Sequence, residues 1–206
     1  MKIRYRKKAF TIVELLVAIA VVSILVTVAI SVVISEVRNA ESASILNNAR
    51  QIYIATFSIS LDNEKAGSPS IWPSASCTNS NLSAFINELG FNRGDVQRLL
   101  SGAGITVAAK GELGALTIKC NPNPPFRFYA VGDRPDDGKQ VFLTSFNVQC
   151  APRSITIDEN AVPFGGLWGI LFRKGGSGDS VKAVLLKEQA IIDTIPENQT
   201  LDLNWR

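Results

Sequence analysis

Residues 10–34 read FTIVELLVAIAVVSILVTVAISVVI, a run of 25 residues with one charge, Glu14. No other feature of the chain limits its folding so tightly. As a helix the run is about 37 Å long, enough to cross a hydrocarbon core of roughly 30 Å with some tilt. Five positive charges precede it (Lys2, Arg4, Arg6, Lys7 and Lys8), with no acid among them. Charge after the run is sparse, so the N-terminus is expected in the cytoplasm and the remainder across the membrane. The net charge of +3 belongs to this terminus, because the other residues hold 16 basic against 18 acidic side chains. The body is not a polyanion binder by charge, and no nucleic-acid partner is expected.

Three ordinary readings of the run compete. A secretory signal peptide has a shorter apolar stretch and a small-residue cleavage site after it; Ala20 and Ala29 supply small residues, but no A-x-A site closes the run. A plain uncleaved anchor explains length and orientation. A buried core helix leaves the basic flank unexplained. None of the three explains Glu14. Near the bilayer centre a carboxylate costs about 2.5–3.5 kcal/mol on insertion scales, and less near the edge. Such a group wants a partner, and a cut before Phe10 would make one, a new α-amine on the same or a neighbouring chain.

Residues 7–16, Lys7-Lys8-Ala9-Phe10-Thr11-Ile12-Val13-Glu14-Leu15-Leu16, resemble the processing site of type IV pilins and type II secretion pseudopilins. That family has a short basic leader, a small residue before the cut, Phe at the new N-terminus and Glu at the fifth mature position. The resemblance implies that a membrane prepilin peptidase and N-methyltransferase cuts between Ala9 and Phe10 and methylates the new amine. It also implies that Glu14 neutralises that amine as subunits stack. Two departures bear on the role. Ala9 stands where glycine is usual. Residues 10–64 contain no Gly or Pro, with Ser23 and Ser31 standing where many filament-forming members carry them. Both favour an accessory subunit over a major one.

Beyond residue 34 the helical spacing persists. Ile45/Leu46, Ala49, Ile52/Tyr53, Thr56/Phe57 and Leu61 recur at three- and four-residue steps, a stripe expected to face the domain that follows. Gly67, Ser68 and Pro69 end the helix. One helix over about residues 10–64 would be roughly 80 Å long, half in lipid or a filament core and half under a globular head. Residues 67–80 read as a loop, with Trp72-Pro73 pinning it to the head. Leu82, Phe85, Ile86 and Leu89 mark a short helix, capped by Ser80 or Asn81 and closed by Gly90. Val96, Leu99 and Leu100 mark another. Strands are expected over 116–119, 126–131, 140–146, 154–157, 167–173 and 181–186. The fold class is α+β: a long N-terminal helix, membrane-spanning in its first half, packed on an antiparallel β-sheet head. The expected parts are a leader over 1–9, the membrane and assembly half of the helix over 10–34, its amphipathic half over 35–66, and the head over 67–206.

The chain has no histidine, which removes Ser-His-Asp and Cys-His catalysis and every His-containing zinc site. Lys174-Gly175-Gly176-Ser177-Gly178-Asp179 lacks the order of a phosphate loop and reads as a hairpin turn. Asp133, Asp136, Asp137 and Gly138 match a calcium loop only in acid content, and read as a solvated turn. Asp158 and Glu159 are placed opposite no second acid by any motif. No catalytic residue, metal or cofactor is expected, and the chain is not expected to be an enzyme. Cys77, Cys120 and Cys150 show no CxxC spacing. If the turn of the 126–146 hairpin centres near residues 135–136, Cys120 and Cys150 come out nearly opposite and a disulfide between them is expected, leaving Cys77 free or buried. Three reduced thiols are the alternative.

The expected function is a structural subunit, a minor pilin or pseudopilin, of a type IV pilus-like or type II secretion filament. It would sit once-through in a bacterial inner membrane, with the head periplasmic or extracellular. Its partners would be prepilin peptidase, that membrane, and other pilin or pseudopilin subunits through the first helix. A membrane-tethered binding module that forms no filament is the alternative.

Overall fold

A computed structural model describes residues 10–73, 82–102, 104–131, 138–151, 154–162, 164 and 168–182. The leader with Ala9, the loop with Cys77, Ser80 and Asn81, the acidic turn at 133–137 and the expected strand residues 183–186 lie outside them. Helix α1 runs from Ile12 to Lys65 without interruption, as a sequence free of Gly and Pro allows. Its end is a Schellman closure: Ser68 N–H donates to the Asn63 carbonyl (2.8 Å) and Gly67 N–H to that of Glu64 (3.1 Å). Gly67 takes φ +68°, a conformation glycine adopts at no steric cost. The Asn63 side-chain amide then donates to the Pro69 carbonyl at 3.0 Å.

Contacts divide the chain into two units, Met1–Ala40 and Glu41–Arg206. In the first, the described residues of α1 are exposed on every face. In the second, the described residues continue from the rest of α1 to α2 (Leu82–Glu88) and α3 (Arg93–Leu100), then to strands β1 (Thr106–Lys110), β2 (Thr117–Asn121), β3 (Phe126–Phe128), β4 (Val141–Ser145), β5 (Val148–Ala151), β6 (Ser154–Ile157), β7 (Trp168–Arg173) and β8 (Gly178–Lys182). All strand pairs are antiparallel, in a four-stranded sheet of order β3-β4-β7-β8 and two hairpins, β1-β2 and β5-β6. The α+β expectation holds. The turn after β7 is the hairpin turn read from the Gly/Ser-rich segment, while β8 begins three residues earlier than expected. Two strands, β1 and β5, were not expected.

The central sheet is buried on both faces. Ile170 and Phe172 join Phe126, Phe128 and Phe142 in the main core with Ile45, Ala49 and Ile52 of α1. Leu171 points the other way, into a second cluster with Tyr129, Val141, Val148 and Cys150, against which Ile155 and Ile157 of β6 pack. This two-sided burial is why β4 reads as a continuous VFLTS run without alternation. Trp72 is buried and meets Phe142 edge-on at 5.0 Å. The Pro73 carbonyl accepts from Val131 N–H at 2.8 Å, so the Trp-Pro pair does pin its loop.

The helix stripe needs a correction at its C-terminal end. Ile45, Ala49, Ile52, Thr56 and Ser60 are buried. Phe57 and Leu61, expected on the same face, remain 48% and 39% exposed. Thr56 tolerates burial because its hydroxyl donates to the Ile52 carbonyl at 2.8 Å.

The expected Cys120–Cys150 bridge is also corrected: both thiols are free. The β3-β4 ladder pairs Phe126 with Ser145, Arg127 with Thr144 and Phe128 with Leu143. Continued, it would have brought the two cysteines nearly opposite. It stops instead, because Pro122, Pro124 and Pro125 follow β2 and offer no N–H to a ladder. Cys120 pairs with Val107 across β1-β2, and Cys150 with Ile155 across β5-β6. Burial pushes the Cys120 thiol up to about 11 and the Cys150 thiol to about 12, the latter partly offset by Arg173.

Candidate assembly site

The first turn of α1 is built by its own side chains. Thr11 sits just outside the helix and Glu14 is its third helical residue. The Thr11 hydroxyl oxygen accepts from Glu14 N–H at 3.2 Å. In return, Glu14 Oε2 accepts from Thr11 N–H at 2.9 Å and from the Thr11 hydroxyl at 2.9 Å. This is a capping box, which satisfies two backbone donors that a helix start otherwise leaves open. It also puts a negative charge at the positive end of the helix dipole. Sequence reasoning sought a partner for Glu14 only in a new amine. The T-x-x-E spacing ahead of an apolar run was the legible signal for Thr11.

Phe10 is 73% exposed, one residue before this box. The next polar side chains along α1 satisfy themselves. Ser23 Oγ donates to the Ile19 carbonyl at 2.7 Å and Thr27 Oγ1 to that of Ser23 at 2.9 Å. Such bonds to the preceding turn let hydroxyls lie in an apolar medium. The helix is long and apolar enough to cross a membrane.

Residues 4–30 match the family described as the prokaryotic N-terminal methylation motif. The chain carries the type IV pilin prepilin-type cleavage motif. Thr11 and Glu14 both fall inside the prepilin motif, as do Ala9 and Phe10 on the two sides of the expected cut. The motif implies processing by a prepilin peptidase and assembly with pilin subunits. Comparison with curated proteins and with solved structures finds no match.

Away from the prepilin motif, the second unit holds a groove of about 470 Å³ lined by Phe57, Leu61, Glu64, Trp72 and Lys174, among others. The Lys174 ammonium stands 5.7 Å from the Trp72 ring centre, within reach of its π face. No group of three metal-ligating side chains occurs among the described residues.

Proposed function

We propose that the chain is a structural subunit, of the minor pilin or pseudopilin kind, of a type IV pilus-like or type II secretion filament. A prepilin peptidase cuts between Ala9 and Phe10 and methylates the new amine. Before assembly, residues 10–34 span a bacterial inner membrane once, with the N-terminus cytoplasmic and the 67–206 head on the other side. Residues 35–66 link the two as the amphipathic half of the helix. In the filament, neighbouring chains pack through the first helix, and Glu14 sets their register by meeting a methylated amine.

The observation that carries this reading is register. The basic leader, the small Ala9, Phe10, Glu14 and the apolar run fall in one frame within the matched residues 4–30. The uninterrupted α1 favours an accessory subunit, since it holds no Gly or Pro at which to melt during assembly. A motif of this kind supports a structural role rather than an enzymatic one.

Glu14→Ala in a cell that makes the filament tests the role of the carboxylate. The variant is expected to reach the membrane and to be processed, but to be absent from the sheared filament fraction. Wild-type incorporation of Glu14→Ala would refute it. The groove beside Trp72 favours a second reading, a membrane-tethered binding module. On that reading the mature chain never enters the sheared fraction, with or without Glu14.

A further inference from the structure

The groove beside Trp72 has a mixed lining whose parts are each held in place. One wall is the exposed edge of α1, where Phe57, Leu61 and Glu64 follow at i, i+4 and i+7 on one helix face, about 10 Å from end to end. Phe57 stacks one face of its ring on Tyr53, with centroids 6.0 Å apart and planes 19° from parallel. Tyr53 is fixed in turn by Trp72 at 5.8 Å and Phe172 at 5.1 Å. Phe57 is thus a backed but half-exposed apolar shelf. The opposite wall joins two turns: Gly175 N–H donates to the Gly138 carbonyl at 2.9 Å, and Lys174 N–H to that of Gln140 at 3.0 Å. A groove built this way needs little ordering when a ligand binds.

Two charges of opposite sign border the shelf. The Glu64 carboxylate stands in the last turn of α1, and no ion pair or side-chain hydrogen bond engages it among the described residues. The Lys174 ammonium lies over Trp72, and with three donors it can take an acceptor beside any it already holds. The volume of about 470 Å³ is that of a small-molecule site. Two turns of a helix about 10 Å across would need roughly 850 Å³. An added strand would need open backbone groups, and here the Gly175 N–H and the Gly138 carbonyl are already joined. A ligand with one charge would meet one partner and one like charge. An uncharged ligand would answer neither.

We propose that the groove binds a linear zwitterion, an amine and a carboxylate joined by a short aliphatic stem. The amine pairs with Glu64, the stem lies on Phe57 and Leu61, and the carboxylate faces Lys174. A free ω-amino acid has this chemistry, and so does a lysine at the C-terminus of another protein. The site goes beyond the filament reading and does not depend on it.

Calorimetric titration of the full chain in a nonionic detergent, with empty micelles as the blank, tests the site. The probes are ε-aminohexanoate, hexylamine, which lacks the carboxylate, and hexanoate, which lacks the amine. Saturable binding of ε-aminohexanoate is expected, with each single-charge probe about fivefold weaker or more. Glu64→Gln is expected to weaken ε-aminohexanoate about fivefold without weakening hexanoate. Phe57→Ala is expected to weaken ε-aminohexanoate about threefold, on the scale of one lost cation–π or stacking contact. A short peptide ending in lysine, compared with the same peptide amidated at its C-terminus, distinguishes the two sources. Preference for the free carboxylate assigns the site to a protein terminus, and binding of ε-aminohexanoate alone assigns it to a small molecule.

Absence of saturable ε-aminohexanoate binding overturns the proposal. So does equal binding of hexylamine or hexanoate by the wild type, a comparison that needs no variant to fold. Unchanged ε-aminohexanoate affinity in both Glu64→Gln and Phe57→Ala places the binding elsewhere and overturns it too. Each of these results leaves the filament reading standing, because none of them measures incorporation.

Discussion

Tyr129 and Cys150 show how single buried groups set both stability and reactivity in the head. The Tyr129 hydroxyl oxygen accepts from Cys150 N–H at 2.9 Å and lies 3.3 Å from Thr144 Oγ1. Thr144 Oγ1 in turn donates to the Val148 carbonyl at 2.7 Å. Tyr129→Phe strands the buried Cys150 N–H, and is expected to destabilise the protein by about 1–3 kcal/mol in a denaturant titration of the full chain in detergent. The Cys150 thiol, pushed up to about 12 by burial, keeps its proton where an unfolded thiol near about 8.5 loses it. Its contribution to stability is therefore complete below the unfolded value and is lost as pH rises toward the folded one. Two outcomes follow. Cys150 should resist a thiol reagent at about pH 8 until the protein unfolds. Between about pH 8 and 10 the wild type should lose more stability than Cys150→Ala.

At the scale of elements, the two faces of α1 beyond residue 40 separate packing from exposure. Ile52 is fully buried among Phe and Leu side chains, whereas Leu61 stays partly in solvent. Ile52→Ala is expected to cost about 3 kcal/mol and Leu61→Ala under about 1 kcal/mol, read from the same unfolding midpoints. The stripe itself was legible from three- and four-residue spacing at Ile45, Ala49 and Ile52. The spacing alone does not say how far a neighbouring surface extends around the helix, and Phe57 and Leu61 lie at its exposed edge, lining the groove beside Trp72. β1 escaped notice because Thr106–Lys110 reads TVAAK, with two alanines and a lysine that carry little strand preference. β5 follows β4 after only two residues, Phe146 and Asn147, and lies in the gap between the strands expected over 140–146 and 154–157. The cysteine pairing failed where three prolines ended a ladder that alternation alone would have continued. The Thr11–Glu14 box, by contrast, is written in the sequence as T-x-x-E ahead of an apolar run.

For the molecule as a whole, one short N-terminal segment holds the matched motif: basic run, Phe10, Glu14 and apolar stretch. The long helix and antiparallel head were legible because each rests on composition and period over many residues. The prepilin-type motif was legible because five features share one register. The groove beside Trp72 was not legible, since it gathers residues from α1, a loop and two turns that no local pattern joins. On the function proposed above, this chain is made as a precursor and cut between Ala9 and Phe10. Its most direct test is mass spectrometry of the N-terminal peptide of the protein recovered from membranes that contain prepilin peptidase. The expected peptide begins at Phe10 with a methylated amine. A chain still beginning at Met1, or one cut beyond residue 30, would contradict it.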